Sequence, residues 1–181
     1  MTVNLQQSEF AVLRQTIAWR GTARMVLVPL TFTAWAGLGL VVMLFGDVPV
    51  AALFTLVVLT AGFEAVHALH VGVERIGRFL QVYYEEQQDG PRWETSVTSV
   101  GPGLPGGGID PLFTFVFAAA AFLNMMLVLL PGPSRTELGV IGILHVGFVL
   151  RLVRARGASA RQRAVELESF KAVRDRQRAQ S

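Results

Sequence analysis

The stretch VPVAALFTLVVLTAGFEAVHALHVGV, residues 48–73, decides how this chain is read. It runs for 26 residues, and Glu64 is its only charged side chain. At 1.5 Å of rise per residue, about 20 apolar residues cross the roughly 30 Å hydrocarbon core of a bilayer. The stretch is therefore expected to be a membrane-spanning helix.

The neighbouring sequence repeats the pattern. Residues 25–45 and 111–130 carry no charge. A fourth block, 138–150, is shorter and lies between Glu137 and Arg151. Ser134 and Glu137 form an S-x-x-E capping box that starts a helix ahead of it. At its far end Arg151 and Arg154 can extend to headgroups. The expected fold is an all-α polytopic membrane protein, a four-helix transmembrane bundle with spans of about 25–45, 48–73, 111–131 and 134–154. Composition agrees. Of 181 residues 52% are hydrophobic and 16% charged, against about 25% charged in soluble domains. The absence of cysteine excludes disulfide, thiolate–zinc, iron–sulfur and thiol chemistry. The apolar content excludes a disordered chain. A 24-residue flank ahead of the first block, with no small-residue cleavage site after it, makes that block a retained span rather than a signal peptide.

Basic residues set the orientation. Of the 16 Lys and Arg, only Arg135 falls in a turn between paired spans; the others lie in 1–24, 74–110 and the tail from 151. Both termini and the 74–110 connection are thus expected in the cytoplasm, with the chain in a bacterial inner membrane. The N-terminal 24 residues hold a candidate interfacial helix, Ser8 to Arg20, anchored by Trp19. Residues 156–181 form a basic cytoplasmic helix. The tail from 151 has a net charge of +6 and the 74–110 segment −3. Anionic lipid headgroups are the expected partner of that tail. Nucleic acid is not, because the aromatic residues lie mostly in the spans.

Ile76, Leu80 and Tyr83 continue a helical stripe beyond the second span, and Gly90-Pro91 ends it. Thr95 to Val100 reads as a short extended strand. Gly101, Gly103 and Gly106 match G-x-G-x-x-G, but Pro102 and Pro105 interrupt the motif and no βαβ unit surrounds it. It reads as a loop leading to an Asp110-Pro111 helix start. Leu69-His70-Val71-Gly72 recurs as Leu144-His145-Val146-Gly147. With Pro29-Leu30 and Pro111-Leu112 on the odd-numbered spans, the chain reads as two repeated helical hairpins about an axis along the membrane normal.

Glu64, His67, His70 and Glu74 fall within about a 120° arc of one helix face. Ionisable groups inside a bilayer are costly and mark function by default. Three readings follow. His70 and His145, at similar depth and each near a glycine, could hold a haem b for electron transfer. Glu64-x-x-His67 matches an element of di-iron bundles; with His70 and Glu74 it could bind a single metal ion. Otherwise the cluster fixes helix packing in a small non-enzymatic subunit or assembly factor of a membrane complex, with membrane protein partners or further copies of itself. No nucleophile stands beside a base, so no catalytic residue is assigned.

Overall fold

The computed structural model describes residues 2–45, 49–86, 92–100 and 111–180. Of these, 95% are helical and none is in a strand. The elements are α1 (Thr2–Phe45), a 3-10 turn (Pro49–Ala51), α2 (Ala52–Leu80), a π-helical turn (Gln81–Glu85), α3 (Trp93–Val100), α4 (Pro111–Leu129) and α5 (Arg135–Gln180). The expected Gly90-Pro91 break, the glycine motif and the Asp110 cap lie outside the described residues.

Among the described residues three helices are long and apolar enough to cross a membrane: α1, α2 with its π extension, and α5. Their length exceeds one span. α1 has 44 residues and α5 has 46, so each is about 66–69 Å long. The segment 8–20, read as a separate interfacial helix, is the first part of α1. The basic helix of 156–181 is the last part of α5. Nothing in the sequence stops either helix. Gly21 and Gly157 are the weakest residues at the two junctions, and a helical glycine costs only about 1 kcal/mol. Pro29 lies inside α1 and removes one donor from its ladder. α4 is apolar but shorter, 19 residues.

α3 corrects the sequence reading: Thr95 to Val100 is helix, not strand. Its β-branched residues suit a strand, but a remote side chain settles the matter. The Glu85 carboxylate accepts hydrogen bonds from the backbone N–H of Glu94 at 2.9 Å and of Thr95 at 2.8 Å, and from the Thr95 hydroxyl at 2.9 Å. These are donors that a helix start leaves unsatisfied. The capping box ahead of α5 forms as expected. Ser134 N–H and hydroxyl donate to Glu137 Oε2 at 2.9 and 2.7 Å, and Glu137 N–H donates back to Ser134 Oγ at 3.3 Å.

The chain divides into two compact units. Unit 1 gathers Met1–Arg24, Ala68–Asp110 and Gly157–Ser181; unit 2 gathers Met25–His67 and Pro111–Arg156. Unit 2 thus collects most of the apolar sequence. Leu59, Phe117, Val128, Ile141 and Leu152 are fully buried there. Phe117 anchors an aromatic cluster, with ring centroids 5.0 Å from Phe32 and 5.5 Å from Phe63. Its outer surface is also apolar: only 11% of the most apolar stretch of α1, and 28% of that of α5, is buried within the chain.

Unit 1 is held by charge as well as rings. Phe79 meets Tyr83, Tyr84 and Phe170 at 4.6–6.3 Å. The acidic 74–110 segment and the basic tail pair with each other. Glu74 pairs with Arg163 at 3.4 Å, and Glu86 pairs with Arg174. Glu166 of the tail accepts from Arg75 and Arg78.

Candidate functional site

The polar centre of unit 2 is Asn124, fully buried on α4. Its Oδ1 accepts the Trp35 indole N–H at 3.2 Å and lies against the Thr55 hydroxyl. Its Nδ2 donates to Ala52 O at 3.1 Å and to His145 Nε2 at 3.0 Å. All four hydrogen-bonding positions of the amide are used. The arrangement fixes the state of His145. Its Nδ1 is 2.8 Å from Ile141 O, a pure acceptor, so Nδ1 carries the proton. Nε2 then accepts from Asn124. His145 is a neutral imidazole with both nitrogens engaged, and an iron ligand at Nε2 would have to displace the Asn124 amide.

His70, its proposed haem partner, belongs to unit 1 and is buried on α2. A guanidinium only donates, so the Arg24 Nη1 contact at 3.1 Å makes His70 Nδ1 an acceptor. Nε2 then bears the hydrogen and faces Glu74 Oε1 at 3.5 Å. Glu74 in turn contacts Arg78 at 3.7 Å and Arg163 at 3.4 Å. His70 and Glu74 therefore form part of an arginine–carboxylate network joining α1, α2 and α5 within unit 1.

Glu64 and His67 belong to unit 2. Glu64 holds Arg151 in a two-pronged ion pair, Arg151 Nε to Oε1 and Nη2 to Oε2 both at 2.7 Å. The Arg151 guanidinium also lies 5.9 Å from the Phe63 ring centroid. His67 stacks on Phe63 with centroids 5.8 Å apart and planes 2° from parallel. Its Nδ1 is buried with no hydrogen-bond partner among the described residues. The four residues predicted as one cluster are thus shared between two environments. Among the described residues no group of three or more His, Asp or Glu is placed to hold a metal ion, so the metal reading gains no support.

The repeat gains none either. His70 of the first Leu-His-Val-Gly copy sits in a charged network in unit 1, and His145 of the second sits on a neutral amide in unit 2. The glycines differ as well. A Cβ on Gly72 would strike the Arg20 guanidinium, while one on Gly147 meets nothing within 4 Å.

In unit 1, Arg14 contacts Glu94 at 3.2 Å and Glu85 at 3.7 Å. Burial pushes the Glu94 carboxyl above the usual carboxylate range; Arg14 opposes this and Glu85 adds to it. Sequence reasoning did not find the roles of Trp35, Thr55 or Glu85. Each depends on a contact with another helix. Comparison with protein-family models, with curated proteins and with solved structures finds no match.

Proposed function

We propose that this chain is an integral membrane protein with four α-helical spans, serving as a non-enzymatic subunit or assembly factor of a membrane complex. The observation that carries the reading is the pairing of two polar clusters in its apolar blocks. Asn124 and His145 consume each other's hydrogen-bonding capacity, and Arg151 occupies both oxygens of Glu64. Such groups join helices rather than offering free ligands to a cofactor. The exposed apolar surface of α1 and α5 supports immersion in lipid or against other membrane helices. The three flanking segments expected on one side of the membrane are the ones gathered in unit 1, which supports a common, cytoplasmic side for them in a bacterial inner membrane. Exposed Arg154 and Arg156 are the side chains we assign to anionic headgroups.

The test is purification in mild detergent from haem-replete cells. The expected product is colourless and either retains a stoichiometric membrane partner or is a homo-oligomer. A Soret band lost in both His70→Ala and His145→Ala overturns the reading in favour of haem. Stoichiometric metal lost in Glu64→Gln and His67→Ala overturns it in favour of a metal site.

A further inference from the structure

The Glu64–Arg151 pair is well made but poorly covered. The side chains remain 42% and 41% exposed, although Glu64 lies inside the apolar block 48–73 and Arg151 ends the block 138–150. Lipid tails are a costly neighbour for both charges. The surface around the pair is apolar and open. Val57, Ala61 and Glu64 follow one another at i, i+4 and i+7 on α2, and Val140, Leu144, Gly147 and Arg151 do so on α5. Val57, Val140 and Leu144 are 62%, 53% and 47% exposed. Ala61 is exposed as well, and a Cβ added at Gly147 meets open space, so another helix can approach closely here.

We propose that this α2/α5 face of unit 2 is a two-fold interface with a second copy of the chain, closed by two Glu64–Arg151 pairs side by side. The charge pattern is what selects a second copy. Copies inserted with one orientation are related by an axis along the membrane normal. The line from Glu64 to Arg151 runs from one helix to its neighbour, across the helix axes. Rotation by 180° about the normal reverses such a line. Each Glu64 then lies beside the Arg151 of the other copy, at the same depth, and four charges alternate in sign. The face is self-complementary without any change in either monomer. The proposal rests on the membrane reading above.

The chain has no cysteine, so single-cysteine variants report contacts without background. In native membrane vesicles treated with copper-phenanthroline, co-expressed Ala61→Cys and Gly147→Cys chains carrying different tags should give a disulfide-linked mixed dimer, because each Ala61 lies beside the Gly147 of the other copy. Co-expressed Val41→Cys on α1 and Phe122→Cys on α4, both exposed, should give at least about tenfold less. Adding Glu64→Arg to both chains of the first pair, or Arg151→Glu to both, should lower cross-linking about tenfold, the order of a polar contact between helices in lipid. With Glu64→Arg on one chain and Arg151→Glu on the other, the mixed dimer should return. One chain then offers two arginines and the other two glutamates, so the contacts match only across the interface. Equal cross-linking of the two cysteine pairs overturns the proposal, as does a charge-swapped pair that recovers no mixed dimer. Should the charge-reversed chains fail to accumulate, the mass of the wild-type protein in mild detergent decides, and a single-copy mass overturns the proposal. Alkaline carbonate extraction of the wild-type vesicles tests the membrane reading separately, since release from the membrane defeats that reading whatever the cross-links show.

Discussion

At the scale of single residues, Asn124 carries the heaviest structural duty. Replacing it with Leu leaves the Trp35 indole and His145 Nε2 without their partner and takes one donor from the Ala52 carbonyl. Asn124→Leu should therefore destabilise the protein by about 2 kcal/mol or more, read as a lowered midpoint of thermal unfolding in detergent. An unchanged midpoint contradicts the assigned hydrogen bonds. Glu94 makes a prediction about pH. Its folded carboxyl holds a proton more tightly than the unfolded chain does, because burial disfavours its charge. That contribution is complete below the ordinary glutamate range and is lost as pH rises through the raised folded value. Wild type should lose stability relative to Glu94→Gln as pH rises from about 4 to 7, and parallel profiles would remove Glu94 from the account. Asn124 is visible in the sequence as the chief polar residue of its span. Its partners are not, because Trp35 and Thr55 stand 89 and 69 positions away.

Among the elements, α1 and α2 approach closely where Gly62 faces Thr31. A Cβ on Gly62 would overlap the Thr31 side chain. Gly62→Ala should cost about 1–3 kcal/mol through forced separation of the two helices. Gly139→Ala, with open space around it, should be neutral or slightly stabilising, since alanine favours helix. If thermal unfolding shows equal effects, the close approach is absent. For α3 the decisive group lies outside the element. Glu85→Ala should release its first turn, costing about 0.5–2 kcal/mol, and hydrogen exchange at Glu94 and Thr95 should accelerate. This contrast explains which elements were legible. The apolar blocks and the Ser134–Glu137 cap are local patterns and appear in the sequence as they do in the structure. The helicity of α3 is imposed from Glu85, and a reading of residues 95–100 alone favours a strand. The uninterrupted lengths of α1 and α5 were missed for the opposite reason: a change of polarity was taken for a change of element, although no helix-stopping residue accompanies it.

At the scale of the whole molecule, the division into units follows composition. The −3 connection and the +6 tail carry opposite net charges, and Glu74–Arg163 and Glu86–Arg174 join them. A common side for the three segments of unit 1 has a direct check. Cysteines introduced at Ser8 and Ser169 should react with an impermeant maleimide from the same face of sealed vesicles. One at Arg135 should react only from the other, and labelling of Ser8 and Ser169 variants from opposite faces refutes the arrangement. The make-up of unit 1 also sets a schedule for synthesis. Arg75 and Arg78 leave the ribosome 91 and 88 residues before Glu166, the carboxylate they share. At roughly 5–20 residues per second, they wait about 5–20 s for it. During that interval the carboxylate they share is missing, and any factor that shields those arginines acts within a window fixed by the distance between them and Glu166 along the chain.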